Sequence, residues 1–179
     1  MQKTVLIILH PEFEEIEAIT PIDLLRRADF QVITASTSNS HSVTSRGAIT
    51  LRADSLLSDN LDSVFDALVI PGGPGIFNIR SDERIKSMLE EHRAYKKLIA
   101  CICAAPLLLL DLGYNKDIPM TCHPSVENAF KKRQAVGTLK HENFITSRGA
   151  GTAIEFSLSI IEALTDKATA SRIAKEVAL

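Results

Sequence analysis

The segment that most constrains this chain is residues 97–107, where a short apolar run meets a leucine-rich run at a cysteine. The first run predicts a buried strand. Pro106 predicts the first turn of a helix, where proline is tolerated. Cys103 therefore falls at a strand-to-helix turn, where free N–H groups and the positive end of the helix dipole favour an anion. We expect Cys103 to be a partial thiolate at neutral pH and hence a nucleophile, the alternative being a buried core thiol.

Strand and helix patterns alternate along the whole chain. The predicted strands are residues 5–9, 30–35, 66–70, 98–102 and 144–146, and the predicted helices are 14–28, 82–94, 104–112, 151–164 and 167–179. Residues 37–60 predict short antiparallel pieces around Val43 and residues 49–51. This alternation predicts one α/β domain over residues 1–179, with a mostly parallel sheet covered on both faces. In the first helix, apolar residues are expected on one side, namely Ile16, Ile19, Leu24 and Leu25.

Composition limits the classes of function. The net charge is −2, which does not suggest a nucleic-acid site. The first ten residues are too short to cross a membrane and lack a small-residue cleavage site, so they predict a strand and no membrane association. The odd number of cysteines, three, favours reduced thiols and a cytoplasmic location.

Ligands of parallel sheets bind beyond the carboxyl ends of the strands, where residues 10–17 and 71–75 and Cys103 are expected to meet. Glu17 lies between apolar neighbours and is predicted to point inward, where burial lets a carboxyl keep its proton. Gly72 and Gly73 let backbone N–H groups approach a ligand, and the Ala104 amide is a natural second donor of an oxyanion hole. A plain turn explains the glycines equally well.

Other polar residues have two interpretations. His123 is either a base or thiolate partner, or only a loop residue before a proline. Cys101 is expected to pack in the core. The potential metal ligands Cys101, Cys103, Cys122 and His123 lack the usual zinc spacing, so no metal is predicted.

An ordered set of motifs resembles the ThiJ/PfpI superfamily, a group of class I glutamine amidotransferase-like domains, and within it the parkinsonism-associated deglycase branch. The motifs are Glu-Glu-Ile-Glu-Ala at 14–18, Asp-Leu-Leu-Arg-Arg-Ala at 23–28, Val-Ile-Pro-Gly-Gly at 69–73, Ala-Cys-Ile-Cys-Ala-Ala-Pro at 100–106, His-Pro at 123–124, and Thr-Ser-Arg-Gly-Ala-Gly-Thr at 146–152. The resemblance covers almost the whole chain. It implies a flavodoxin-like three-layer sandwich and a homodimer with its sites near the interface.

The resemblance also implies roles for single residues. Cys103 would be the nucleophile, Glu17 its protonated partner, and His123 a residue on the far side of the pocket, with the Gly73 and Ala104 amides binding an oxyanion. The arginines expected to attract an anion or lie at the interface are Arg27, Arg46 and Arg148. Two residues depart from the pattern of this branch, since Cys101 replaces an alanine and Ala150 replaces a proline. Ala104 separates the chain from the protease-like members, which have histidine at this position.

The implied function is that of a cysteine-dependent enzyme acting on reactive dicarbonyls such as glyoxal and methylglyoxal, or on their adducts with amines and thiols. Such an enzyme is a glutathione-independent glyoxalase, or a deglycase of proteins or nucleotides, and needs no cofactor. The alternative is an oxidative-stress sensor or chaperone that uses oxidation of Cys103. A cysteine peptidase is disfavoured by Ala104.

Overall fold

The structure is a computed structural model that describes residues 2–179. Within these residues the strands are β1 (Thr4–Leu9), β2 (Gln31–Ser36), β3 (Ser42–Thr44), β4 (Thr50–Arg52), β5 (Ser55–Leu56), β6 (Ala67–Ile70), β7 (Leu98–Ile102), β8 (Thr138–His141) and β9 (Phe144–Ser147). The helices are α1 (Glu15–Arg27), α2 (Ile76–Ile79), α3 (Glu83–Ala94), α4 (Pro106–Asp111), α5 (Ala153–Leu164) and α6 (Lys167–Glu176). Every predicted strand and helix is present, with bounds shifted by a few residues at most.

Seven strands form one sheet in the order β5-β2-β1-β6-β7-β9-β8. All neighbours pair in parallel except β8 and β9, which form an antiparallel hairpin at one edge. Strands β3 and β4 form a separate antiparallel hairpin. The predicted mostly parallel sheet is therefore confirmed.

Two hydrophobic clusters cover the two faces of this sheet. Helices α2, α3 and α4 pack on one face through residues such as Ile76, Leu89 and Leu109. Helices α1, α5 and α6 pack on the other through residues such as Leu25 and Phe156. Strands β6 and β7 are buried along their whole length because both of their faces are covered, which explains their continuous apolar sequence. The three layers form the predicted flavodoxin-like sandwich.

Helix α1 corrects one expectation. Ile16 and Ile19 are 53% and 43% exposed, whereas Leu24 and Leu25 are buried, so the four do not share one side. The buried side of the helix consists of Glu17, Ala18, Pro21, Leu24 and Leu25, at the spacing of three and four residues that follows one helical face. The two isoleucines lie outside that stripe.

Two short strands, β5 and β8, were not predicted. Strand β5 has only two residues, and β8 carries the polar sequence Thr-Leu-Lys-His at the sheet edge. Strand β5 pairs with the longer β2, and β8 pairs with the buried β9, so both take their structure from a neighbouring strand rather than from their own apolar pattern. In the described part of the chain, none of the helices combines the length and apolar character needed to cross a membrane.

Candidate active site

The three predicted loops meet at the carboxyl edge of the sheet. Strands β1, β6 and β7 end at Leu9, Ile70 and Ile102, side by side. A Cβ atom placed on Gly72 would lie 2.6 Å from the Cys103 Cβ and 2.8 Å from the Glu17 Oε2. Only a residue without a side chain therefore fits at position 72.

Cys103 occupies a strained turn between β7 and α4. Its φ is 66°, in the left-handed region that residues with a side chain rarely adopt. The Cys103 N–H donates to the Ser147 carbonyl at 2.9 Å, and its carbonyl accepts from the His123 N–H at 2.8 Å. These two bonds hold the strained backbone from both sides and leave the side chain only partly buried. The predicted strand-to-helix turn is confirmed.

Glu17 points inward from the first turn of α1, as predicted, and is only 1% exposed. Its Oε2 accepts the Gly72 N–H at 2.8 Å. Burial raises the pKa of this carboxyl to about 7, although the Gly72 N–H and the Cys103 thiol favour the carboxylate. Glu17 therefore exchanges its proton near neutral pH.

The expectation that Cys103 is a partial thiolate at neutral pH is wrong. Burial raises the pKa of the thiol to about 12, the Glu17 carboxylate contributes to the rise, and the backbone amides of Gly73 and Ala104 oppose it. The helix end favours a thiolate at Cys103, but burial beside a second acid outweighs it. Burial and the neighbouring carboxylate therefore favour the neutral thiol at neutral pH.

The backbone amides of Gly73 and Ala104 both face the Cys103 sulfur. In the part of the chain that the structure describes, neither donates to another backbone carbonyl. Gly73 has a φ of 106°, which glycine alone adopts without strain. The Gly72 N–H, by contrast, is taken by Glu17. Two of the three predicted donors are thus free to bind an oxyanion, and Gly72 is not.

His123 reaches the site through its backbone rather than its ring. The Nδ1 atom accepts the Ser125 N–H at 3.2 Å and lies 2.8 Å from the Ser125 Oγ. Among residues 2–179, no hydrogen bond joins the ring to Cys103. A Cβ on Gly149 would lie 3.3 Å from the His123 Cδ2 and 3.8 Å from the Glu17 Oε1, so Gly149 separates the ring from the carboxyl. This arrangement does not support a direct thiolate–imidazole pair.

The three arginines lie in different places. Arg148 is exposed and lines a cleft of about 350 Å³ with His123, Pro124 and residues 149–152. Two of these lining residues, Gly149 and Ala150, lie next to the Glu17 carboxyl. Arg46 is also exposed, in the β3–β4 hairpin, and its N–H donates to the Phe13 carbonyl in the loop before α1 at 3.0 Å. Arg27 bonds Asp23 at 3.0 Å. It follows Glu17 by ten residues, roughly 15 Å along α1, so Arg27 is not part of the anion site.

The other two cysteines are fully buried, Cys101 within β7 and Cys122 beside Arg133. Burial raises the pKa of both thiols, and for Cys122 the nearby Arg133 partly offsets the rise. Cys101 packs in the core as predicted. No three His, Cys, Asp or Glu side chains come together in a metal-binding group anywhere in residues 2–179.

Sequence reasoning missed two contributors to this site. Glu14 caps α1 by accepting the Glu17 N–H, and its own N–H donates to the Gly72 carbonyl at 3.0 Å. His10 is completely buried, with one ring nitrogen 3.2 Å from the Pro71 carbonyl. Acidic residues at a helix start and a histidine after a strand are too common to signal these contacts.

Known proteins are similar to this chain in sequence and in fold. Residues 3–163 match the model of the DJ-1/PfpI family. The chain is 34% identical to protein dj-1beta of Drosophila melanogaster, covering 98% of this chain and 96% of that protein. It is 35% identical to the glutathione-independent glyoxalase DJR-1.2 of Caenorhabditis elegans, covering 99% and 97%.

Solved structures agree with these matches. The oxidized DJ-1 of Toxoplasma gondii superposes with a TM-score of 0.94 at 34% identity, over 98% of this chain and 97% of that one. Drosophila melanogaster DJ-1beta gives a TM-score of 0.92 at 32% identity, over 99% and 98%. The expected resemblance is confirmed, and the chain belongs to the DJ-1/PfpI family.

Proposed function

We propose that this protein is a glutathione-independent enzyme for reactive dicarbonyls and their adducts, with Cys103 as nucleophile and Glu17 as proton carrier. The observation that carries the proposal is the contact between a strained cysteine and a buried carboxyl whose pKa is raised to about 7. A general acid–base works best when its pKa lies near the working pH. The glyoxalase DJR-1.2 of Caenorhabditis elegans supports the assignment by its similarity over nearly the whole chain.

The first step joins sulfur to the aldehyde carbon. The Cys103 thiol transfers its proton to the Glu17 carboxylate as the sulfur attacks methylglyoxal, and the carbonyl electrons move onto oxygen. The Gly73 and Ala104 N–H groups donate to that oxyanion, since both already face the sulfur. Glu17 then gives the thiol proton to this oxygen, which yields a neutral hemithioacetal and restores the carboxylate.

Later steps need only one carrier of protons. The Glu17 carboxylate removes a proton from the former aldehyde carbon and leaves the electron pair in an enediol. It then returns the proton to the neighbouring carbon, which converts the hemithioacetal to a thioester. Water then cleaves the thioester, which releases lactate and restores the thiol. The overall change is methylglyoxal plus water to lactate plus a proton, so no external oxidant or reductant is consumed.

A deglycase reaction leads to the same bond. When the dicarbonyl is already attached to an amine or thiol as a hemiaminal or hemithioacetal, the hydroxyl proton first passes to the nitrogen or sulfur, which leaves as the aldehyde C=O re-forms. Cys103 then attacks that aldehyde carbon. Arg148 borders the open cleft beside Glu17 and offers a positive charge to an anionic substrate. The exposed position of this cleft suits small aldehydes and surface adducts rather than long polymers.

A second candidate function is redox sensing through Cys103. The similar DJ-1 of Toxoplasma gondii was solved in an oxidized form, which favours this candidate. Protonated Glu17 would donate a hydrogen bond to a sulfinate at Cys103. Peroxide treatment followed by intact mass of the native protein and Glu17→Gln tests this: the same final oxidation state in both would refute the stabilising role.

We further propose that the protein is a cytoplasmic homodimer in which residues 1–179 act as one domain. Ile16 and Ile19, both exposed, form an apolar patch on α1 close to the hairpin that carries Arg46. Burying such a patch against a second copy stabilises a dimer. We expect Ile16→Lys together with Ile19→Lys to convert the dimer to a monomer in sedimentation analysis, and a native monomer would contradict the proposal.

The proposed enzyme is tested by chiral analysis of lactate formed from methylglyoxal without glutathione. Native protein is expected to form many lactate molecules per site, whereas Cys103→Ser and Glu17→Ala form none above background. Cys101→Ser serves as the matched control because its thiol lies outside the site. Loss of methylglyoxal without lactate would indicate trapping by a thiol and would refute the enzyme.

A further inference from the structure

His10 is a buried histidine that the proposed reaction does not use. It follows β1 directly, at the same sheet edge as Cys103, and its ring is fully shielded from solvent. The Nε2 atom lies 3.2 Å from the Pro71 carbonyl oxygen, and the Nδ1 atom lies 2.9 Å from the Pro11 carbonyl oxygen. The ring thus joins the loop after β1 to the glycine loop after β6.

The peptide between Pro71 and Gly72 is held at both of its ends. Its carbonyl oxygen faces the His10 ring, and its N–H donates to the Glu17 Oε2 at 2.8 Å. A planar trans peptide directs its C=O and N–H in opposite directions, so fixing the carbonyl also fixes the direction of the N–H. His10 and Glu17 therefore contact the same rigid unit from opposite sides.

The next peptide has the same arrangement. The Gly72 carbonyl accepts the Glu14 N–H at 3.0 Å, and the other end of that peptide is the Gly73 N–H that faces the Cys103 sulfur. Two successive carbonyls thus point toward the loop after β1 and two successive N–H groups point into the site. A backbone donor holds the second peptide, whereas the first depends on the side chain of His10.

The position of the ring proton follows from burial. Among the described residues no backbone N–H donates to the Pro71 carbonyl, so His10 Nε2 is its partner in the interior. The contact between Nδ1 and the Pro11 carbonyl is only partly buried, whereas the contact between Nε2 and the Pro71 carbonyl is buried. An unpaired buried carbonyl costs more than one that water can satisfy. The neutral ring, which burial favours by lowering the pKa of His10, therefore carries its proton on Nε2.

We propose that His10 is a positioning residue: its Nε2–H fixes the Pro71–Gly72 peptide so that the Gly72 N–H stays on the Glu17 carboxylate. A carbonyl that accepts a hydrogen bond makes the N–H of the same peptide a stronger donor. His10 thereby favours the carboxylate form of Glu17. The inference rests on the role proposed for Glu17, but its test does not require turnover.

Several groups besides His10 act on Glu17 and belong in the interpretation. Cys103 and the backbone N–H groups of Gly72 and Ala150 contact it. Glu14 acts from the start of α1, and His123 lies beyond Gly149. The charged group acting on His10 is Glu12. Replacing His10 leaves all of these side chains in place, so a change in the titration of Glu17 can be assigned to the peptide.

The test combines the proton position in the native protein with variants of His10. NMR of isotope-labelled histidine in the native chain is expected to show the proton on Nε2. The variant His10→Leu fills the space of the ring with an apolar side chain of similar size and removes the Nε2–H donor. We expect it to raise the pKa of Glu17 by roughly 0.5 to 1 unit in a carboxyl-carbon NMR titration, as expected for one weakened hydrogen bond. The variant His10→Gln retains an N–H donor and should remain within a few tenths of a unit of native.

His92 provides the matched control. It is also completely buried, but its ring bonds the Phe65 N–H and the Met88 carbonyl at the opposite edge of the sheet. His92→Leu is expected to lower stability without moving the pKa of Glu17. A native proton on Nδ1, or an unchanged pKa of Glu17 in His10→Leu, would overturn the proposal. If His10→Leu does not fold, the native proton position and His10→Gln test the proposal instead. A native proton on Nδ1 would overturn the proposal. So would a pKa of Glu17 in His10→Gln that is raised as far as expected for His10→Leu.

These outcomes separate the two proposals. Lactate turnover with no effect of His10 on Glu17 would refute only the positioning role. A raised pKa of Glu17 in His10→Leu without any lactate formation by the native protein would refute only the dicarbonyl reaction.

Discussion

At the amino-terminal edge of the sheet the half-buried carboxylate of Asp66 accepts the Thr4 N–H at 3.0 Å and the Lys97 ammonium at 2.9 Å. At the carboxyl edge the buried carboxyl of Glu17 has backbone N–H groups and a thiol around it, and no cation from residues 2–179 acts on it. The cation and backbone bonds lower the pKa of Asp66 despite its burial, whereas burial raises the pKa of Glu17. The same kind of side chain thus anchors the structure at one edge, where its pKa is lowered, and is the proposed proton carrier at the other, where its pKa is raised.

The largest expected difference is in the alkylation rates of two cysteines, one at the carboxyl edge and one in the core. Cys103 is partly exposed, but Cys101 lies in the central strand β7 with no exposure. Alkylation of Cys101 requires the strand to open, so we expect Cys103 to react at least about a thousand-fold faster with iodoacetamide. Peptide mapping by mass spectrometry measures both rates. Similar rates would contradict the proposed burial of Cys101.

The stability of the carboxyl edge should depend on pH through Glu17. Its pKa is raised from 4.5 to about 7 on folding, so its favourable contribution is complete below about pH 4.5 and is lost as the pH rises through 7. The glutamine variant lacks this titration. The unfolding free energy of Glu17→Gln minus that of the native protein should therefore rise by roughly 3 kcal/mol between about pH 4 and 8. Urea denaturation at several pH values measures this difference. A difference that does not change with pH would show that Glu17 has an ordinary pKa.

Close packing at the carboxyl edge predicts a smaller effect at Gly72. A methyl group there would meet the Cys103 Cβ and the Glu17 carboxylate, so Gly72→Ala should cost about 1 to 3 kcal/mol of unfolding free energy. Gly151→Ala is the control, because its added Cβ would have no atom within 4 Å, and we expect a change within about 0.5 kcal/mol. Equal losses in the two variants would mean that the proposed contact at Gly72 is absent.

The amino edge should show a pH dependence of opposite sign. The pKa of Asp66 is lowered on folding, so its contribution is present above about pH 4 and is lost as the pH falls through the folded value. Asp66→Asn is expected to cost about 1 to 2 kcal/mol near pH 7, and the deficit should shrink in acid. Asp62→Asn at an exposed position should have little effect. A loss for Asp66→Asn that persists unchanged in acid would contradict the ion pair.

The sequence predicts which residues meet at the carboxyl edge of the sheet, but it does not predict their pKa values. Alternating strands and helices place Cys103 at a turn, and the apolar neighbours of Glu17 indicate that it points inward. The pKa of Cys103 depends on burial beside Glu17, which is a contact between residues far apart in the chain. Spacing along the sequence does not determine such a contact.

Two other differences have similar causes. Ile16 and Ile19 have the hydrophobicity of core residues, but the three-dimensional position of α1 turns them outward. His10 gains its importance from the Pro71 carbonyl, which a separate loop brings to it. In both cases the decisive neighbour comes from tertiary structure, and local patterns carry no information about it.

The measurement that tests the central claim most directly is the titration of the Glu17 carboxyl in the native protein, followed by carboxyl-carbon NMR and assigned with Glu17→Gln. The account predicts a midpoint near pH 7, because the carboxyl is buried beside Cys103. A midpoint near the ordinary value of 4.5 would contradict it, since Glu17 would then be unable to carry a proton for Cys103 at neutral pH.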